Sequence, residues 1–102
     1  MNTPSQRQPS SGTSELAWAL ARGELAVDDS RTPILKGLLE LVENKKGVMP
    51  FTIGRQELEG VSTYGDAYEL LPTVMNAWDI QHGGNSVFTV SAFADGIEVS
   101  RV

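Results

Sequence analysis

The C-terminal part of the chain alternates apolar and polar side chains on both sides of Asp95-Gly96. An Asp-Gly step between two such runs is typical of a two-residue β-hairpin turn. Because successive side chains of a strand lie on opposite faces, this pattern constrains the fold more than any other part of the sequence. It predicts a hairpin in which Ala94 pairs with Ile97, Ala92 with Val99 and Val90 with Arg101.

The predicted hairpin has one apolar face and one polar face. The apolar face consists of Phe88, Val90, Ala92, Ala94, Ile97 and Val99. The other face consists of Thr89, Ser91, Phe93, Glu98 and Ser100. Phe93 places an aromatic ring on this polar face, which marks it as a candidate contact residue, although single exposed aromatic side chains are also common where they bind nothing.

The clearest helix signal lies between Thr32 and Gly47. Thr32 is a suitable N-cap, Pro33 fits the first helical position, and Gly47 is a typical residue after a helix end. A shorter helix from Glu15 to Arg22 is predicted upstream, before a glycine. The longer helix has an apolar face formed by Ile34, Leu35, Leu38, Leu39, Leu41 and Val42.

A short strand is predicted after the second helix, where Met49, Phe51 and Ile53 recur at every second position. Pro50 cannot donate a hydrogen bond to a neighbouring strand, so this strand is expected to be short or to lie at a sheet edge. One or two helical turns are predicted next, over residues 55–59, because Gly60 follows them.

A further amphipathic helix is predicted from residue 66 onward. Asp66 and Glu69 have the spacing of an N-cap and its third helical residue, a variant of the capping box. The apolar residues of this segment recur at helical spacing and leave a polar, acidic outer face. That face is predicted to consist of Asp66, Glu69, Thr73, Asn76 and Asp79.

These elements predict a small α+β protein with three to four helices, a C-terminal β-hairpin and a short additional strand, in the order of a winged-helix domain. With 102 residues, the chain has room for one domain, which we place at residues 15–102. Residues 1–14 carry a single charge and no apolar side chain after Met1, so they are predicted to form a flexible tail.

The charge of the chain argues against the usual role of a winged helix. It has 13 acidic residues against 8 lysines and arginines, a net charge of −5. Residues 66–79, which occupy the place of the DNA-reading helix, contain three acids and no Lys or Arg. A protein that reads a DNA groove needs positive charge at that place, so nucleic acid and anionic membranes are disfavoured as partners.

The sequence also disfavours catalysis. The chain has no cysteine and one histidine, which removes thiolate chemistry and the usual imidazole-rich metal centres. His82-Gly83-Gly84 is similar to the start of a lipase oxyanion loop, but no Gly-x-Ser-x-Gly segment accompanies it. We therefore expect no enzymatic activity, no cofactor and no metal.

Two functional hypotheses follow. The first is a non-enzymatic, acidic regulatory protein, such as an inhibitor, an adaptor or an antitoxin-like protein, that binds a protein partner with a basic surface. Its candidate contact residues are Asp66, Glu69, Asn76, Asp79 and Phe93. The alternative is a winged-helix transcriptional regulator that contacts nucleic acid through Lys45, Lys46, Arg55 and Arg101.

The sequence has no apolar run long enough to span a membrane and no signal peptide, so we expect a cytoplasmic protein. The acid-free leader, rich in Ser, Thr, Gln and Pro, is also similar to that of type III secretion substrates, and a secreted effector is the alternative. The sequence leaves open a homodimer formed through the first helix or through the hairpin edge.

Overall fold

The computed structural model describes residues 10–102, and its side chains from residue 15 onward, as four helices and a three-stranded antiparallel sheet. The helices and strands are α1 (Ser10–Arg22), α2 (Thr32–Glu43), β1 (Phe51–Gly54), α3 (Arg55–Leu58), α4 (Tyr64–Gln81), β2 (Phe88–Phe93) and β3 (Gly96–Arg101). The strand order is β1-β3-β2. The small α+β class predicted from the sequence, with helices, a C-terminal hairpin and one additional strand, is confirmed.

Helix α1 begins at Ser10, earlier than the predicted start at Glu15. It ends at Arg22, as predicted, and Gly23 follows with a φ of +72°, the left-handed conformation that favours glycine after a helix. Ala17 and Leu20 are buried against the rest of the protein. The predicted tail falls on residues 1–14, of which residues 1–9 lie outside the part that the structure describes.

The capping role predicted for Thr32 is wrong. The N-cap position is occupied by Arg31, which makes no side-chain capping hydrogen bond. The buried Thr32 hydroxyl instead donates to the carbonyl oxygen of Ala26 at 2.6 Å and thereby fixes the loop between α1 and α2. Pro33 does occupy the first turn, where its missing N–H costs no helical hydrogen bond.

Helix α4 is the central element of the fold, since it contacts α1, α2, α3 and β2. Its N-cap is Thr63 and not Asp66, because the Thr63 side chain accepts a hydrogen bond from the Asp66 amide at 3.1 Å. Asp66 therefore lies inside the first turn, where a carboxylate is still favoured by the helix dipole. The core around α4 contains Leu35, Leu38, Ile53, Leu71, Val74, Met75, Ile97 and Val99.

The hairpin forms with the predicted faces but with its register shifted by two residues. Phe93 pairs with Gly96, Ala92 with Ile97 and Val90 with Val99, so residues 94–95 form the turn. A shift of two keeps every side chain on its predicted face. The difference arises because Gly96 is the first residue of β3, opposite Gly54 of β1.

Gly96 is required by the close approach of β1 and β3. A Cβ at this position would lie 2.6 Å from the backbone oxygen of Ile53. Gly96 is not among the glycines with positive φ, so its role is to give space and not to permit an unusual turn conformation. This explains why an Asp-Gly turn rule misplaced the register by two residues.

We expect Gly96→Ala to lower the free energy of unfolding by about 1–2 kcal/mol, because the added methyl group meets backbone that cannot move away freely. Gly65→Ala is the matched control. Gly65 lies in the exposed first turn of α4 with nothing within 4 Å of its Cβ position, so alanine should leave stability equal or raised. Urea unfolding followed by circular dichroism measures both variants; equal stability of the two would contradict the steric role of Gly96.

Candidate functional site

A groove of about 530 Å³ lies between α4 and β2. One wall consists of Tyr68, Pro72 and Asn76, which are four residues apart and therefore lie on one line of α4, together with the neighbouring Glu69. The other wall consists of Ser86, Val87, Phe88 and Val90. We call this site the α4–β2 groove.

The groove presents apolar surface to solvent with acids on one side. Tyr68 is 45% exposed and Val87 is 64% exposed, although both are large apolar or aromatic residues. Glu69 lines the groove, and Asp66 is exposed one turn earlier on the same helix. An exposed apolar surface next to charged residues is typical of a site that binds another protein.

Trp78 supports the end of the groove nearest to Phe88. The Trp78 and Phe88 rings make an edge-to-face contact with centroids 6.3 Å apart. Trp78 also stacks on His82, with ring centroids 4.2 Å apart, and the His82 Nδ1 lies 2.7 Å from the Trp78 carbonyl oxygen. The guanidinium of Arg101 lies 5.8 Å above the Phe88 ring. Phe88 is therefore held between α4 and the end of β3.

The prediction that Asp79 lies on the exposed face of α4 is wrong. Asp79 is buried, and its Oδ2 accepts a hydrogen bond from the Ser86 amide at 3.1 Å. A Cβ on Gly84 would overlap the Asp79 Oδ1, so a larger residue at this position would have to displace the carboxylate. Thr73, also predicted to be outside, is buried as well. Asp79 acts on the groove indirectly, by fixing the loop that carries Val87.

The structure places two of the five residues proposed for partner binding, Glu69 and Asn76, in the groove wall. Asp66 is exposed on α4 but lies outside the groove lining. Phe93 is 51% exposed at the turn end of β2, outside the groove lining. The remaining residue, Asp79, is buried behind the loop.

Arg55, proposed for nucleic-acid contact, is used in the packing of the hairpin turn. Its guanidinium lies 4.0 Å above the ring of Tyr64, and its Nε donates to the carbonyl oxygen of Ala94 at 2.6 Å. The Tyr64 hydroxyl in turn donates to the carbonyl oxygens of Phe93 at 2.5 Å and Gly96 at 3.1 Å. These contacts fix the turn to the start of α4.

Lys45 is also engaged, since its Nζ lies 2.8 Å from the Oε1 of Glu57. Partial burial raises the pKa of Glu57, but the hydrogen bonds from Lys45 and from the Gly54 amide outweigh burial and leave this pKa below its usual value. Lys46 lies beside Trp78 and His82, and Arg101 lies at the end of β3 away from the turn. Of the four basic residues, Lys45 and Arg55 are therefore already engaged by groups of this chain.

Most residues of the α4–β2 groove were not predicted from the sequence. They are Tyr68, Pro72, Ser86, Val87, Phe88 and Val90. One usable signal was present, namely that residues 83–94 contain no charged residue although many of them are exposed. Which side of α4 faces β2 depends on tertiary packing, and helical spacing alone does not give it.

Within residues 10–102, no group of three or more His, Asp or Glu side chains is placed to hold a metal ion. No helix in the same range is long and apolar enough to cross a membrane.

No protein-family model, no curated protein and no solved structure matches this chain.

Proposed function

We propose that this chain is a non-enzymatic, acidic regulatory protein that binds a protein partner with a basic surface, as an inhibitor, an adaptor or an antitoxin-like protein does. The observation that carries the proposal is the α4–β2 groove, in which exposed apolar side chains lie next to the acids of α4. Apolar contacts supply most of the affinity of such a site, and complementary charge supplies specificity and rapid association.

Charge supports a basic partner. Helix α4 contains three acids and no Lys or Arg, and the whole chain carries a net charge of −5. Asp66 and Glu69 are both exposed, and neither is among the residues that form ion pairs within residues 10–102. A lysine or arginine of a partner has free carboxylates to meet on this side of the groove.

The order of elements gives a second candidate, a winged-helix nucleic-acid binder that would use Lys45, Lys46, Arg55 and Arg101. The contacts of these residues support it less well. Lys45 is paired with Glu57, and Arg55 lies on Tyr64 and binds the hairpin turn. The helix that would enter a DNA groove is acidic, so its approach to phosphates is electrostatically unfavourable.

Charge reversal on α4 tests the proposal. We expect Asp66→Lys combined with Glu69→Lys to weaken binding of the protein partner by about tenfold or more, because two attractive contacts become repulsive. The partner is first captured with the tagged full-length protein from a nuclease-treated lysate of source cells, and its affinity for each variant is then measured by calorimetry. Circular dichroism verifies the fold of each variant.

The matched control is Glu15→Lys combined with Glu40→Lys. It makes the same change in net charge at exposed residues of α1 and α2, away from the groove. The control should bind the partner within about threefold of the unmodified protein. An equal loss of partner affinity in both double variants would show that binding depends on net charge and not on the acids of α4. Recovery of nucleic acid, or of partners that nuclease removes, would favour the winged-helix alternative.

A further inference from the structure

We propose that the partner binds by strand addition: an extended segment bearing Lys or Arg pairs with the open edge of β2 and fills the α4–β2 groove. This inference rests on the proposed function and specifies how the groove is used. In strand addition, backbone hydrogen bonds supply affinity, and alternate side chains of the added strand enter pockets beside the edge.

The register shows which backbone groups of β2 are available. The Val102 amide donates to the Val87 carbonyl oxygen at 2.8 Å, in the same register that pairs Phe88 with Arg101. Hydrogen-bonded and non-hydrogen-bonded pairs alternate in an antiparallel ladder. Thr89, Ser91 and Phe93 therefore bond to β3.

The N–H and C=O groups of Phe88, Val90 and Ala92 consequently point away from β3. Because β2 is the last strand in the order β1-β3-β2, no strand within residues 10–102 covers them. They form a row of backbone donors and acceptors along one side of the groove, at the spacing that an added strand matches.

The two edges of the sheet differ in how they are protected. Natural proteins protect open edges with short strands, proline, or charged side chains. The β1 edge has two of these features, since β1 is four residues long and follows Pro50. The β2 edge has none: the strand has six residues, and residues 83–94 include no proline and no charge. An unprotected, partly apolar edge beside a groove is expected where a partner strand binds.

The groove has room for side chains of an added strand. A strand paired with β2 would lie about 4.8 Å from it, on the side where the α4–β2 groove opens. Every second side chain of that strand would point toward Tyr68, Pro72 and Val90. A basic side chain of the segment would then meet Glu69, which lines the groove. The expected composition of the segment is therefore alternating apolar residues with Lys or Arg.

Charge distinguishes this occupant from a second copy of the chain. Two β2 edges paired with each other would bring two molecules of net charge −5 together, with the groove-lining Glu69 of each beside the interface. Like charges at an interface oppose association. An extended basic segment instead neutralises these acids. The charge of the chain thus favours a basic partner segment over self-association.

The test uses peptides of about ten residues, enough to cover β2, selected from a random phage-displayed library against the full-length protein. We expect the selected peptides to be rich in Lys, Arg and β-branched residues. Amide hydrogen exchange measured by NMR is the decisive readout. The Phe88, Val90 and Ala92 amides should exchange rapidly in the free protein and become protected when a selected peptide binds, because only strand pairing engages all three.

Ala92→Pro supplies an independent readout. It removes one outward N–H at an exposed residue without removing a hydrogen bond to β3, so the domain is expected to fold. We expect it to weaken binding of the selected peptide by about tenfold or more, whereas Ala92→Val, which keeps the N–H, should bind within about threefold. If Ala92→Pro does not fold, amide exchange in the unmodified protein, with and without the peptide, tests strand addition by itself.

The outcomes separate this inference from the proposed function. If basic peptides bind, and Asp66→Lys with Glu69→Lys weakens them, but the three amides stay unprotected, strand addition is overturned and a basic partner is still supported. If the selected peptides have no basic residues and ignore these substitutions, both proposals fail. Protection of the three amides in the free protein would also overturn strand addition by a partner, because the chain itself or a second copy would then occupy the edge.

Discussion

Trp78→Ala is expected to lower the free energy of unfolding by about 3–5 kcal/mol, the usual cost of removing a large buried aromatic side chain. Trp78 is 7% exposed and joins three parts of the fold. Its ring contacts Phe88 of β2 and His82 after α4, and it lies 3.5 Å from the position of a Cβ on Gly47, in the turn before β1. Urea unfolding followed by far-ultraviolet circular dichroism measures the change.

Trp18→Ala is the matched control for this variant. Trp18 is 48% exposed on α1, where the Arg22 guanidinium lies 5.7 Å from its ring. Removing it should change the free energy of unfolding by about 0.5 kcal/mol or less. The chain has two tryptophans, so each variant retains the other one as a fluorescence probe. A loss of stability in Trp18→Ala as large as in Trp78→Ala would contradict the assignment of Trp78 as the core tryptophan.

The loss of the Trp78 side chain should also change the shape of the α4–β2 groove. Phe88 lines the α4–β2 groove and has Trp78 at its edge, so a cavity at residue 78 allows Phe88 to move inward. Phe88 is also the first residue of the proposed binding edge. Partner binding is therefore expected to weaken in Trp78→Ala even under conditions in which the protein remains folded.

Local rules predicted the elements that depend on nearby residues. Pro33 in the first turn of α2, Gly23 after α1 and the edge position of the strand after Pro50 all follow from backbone chemistry within a few residues. The two faces of the hairpin followed from the alternation of apolar and polar residues. They are the same in the structure, although the pairing of β2 with β3 is shifted by two residues from the predicted register.

Features set by tertiary contacts or by the path of a loop were not predictable in this way. Gly96 is explained by the backbone of Ile53, more than forty positions away. Thr32 is not a cap because its hydroxyl bonds to Ala26. Asp79 is buried because the loop to β2 folds back on it, although its position one turn after Met75, which is buried, was a signal available in the sequence. At residue 79, helical position and not side-chain polarity determines burial.

Asp79→Ala is expected to lower the free energy of unfolding by about 2–3 kcal/mol, because it removes a hydrogen bond to a charged group and leaves the Ser86 amide without its acceptor. The same change frees the loop that carries Val87, so partner binding should weaken although no exposed acid is lost. Urea unfolding gives the stability, and exchange of the Ser86 amide, expected to become rapid, reports the loop directly.

Two further variants separate the hydrogen bond from the charge of residue 79. Asp79→Asn keeps a side-chain carbonyl oxygen that can accept from the Ser86 amide, so it should recover part of the stability and of the Ser86 protection. Asp28→Ala removes an exposed carboxylate from the loop before α2 and should leave stability and binding within about 0.5 kcal/mol of the unmodified protein. If Asp79→Ala were as stable as Asp28→Ala, the carboxylate would not hold the loop. The apolar packing around Phe88 would then suffice to form the groove wall.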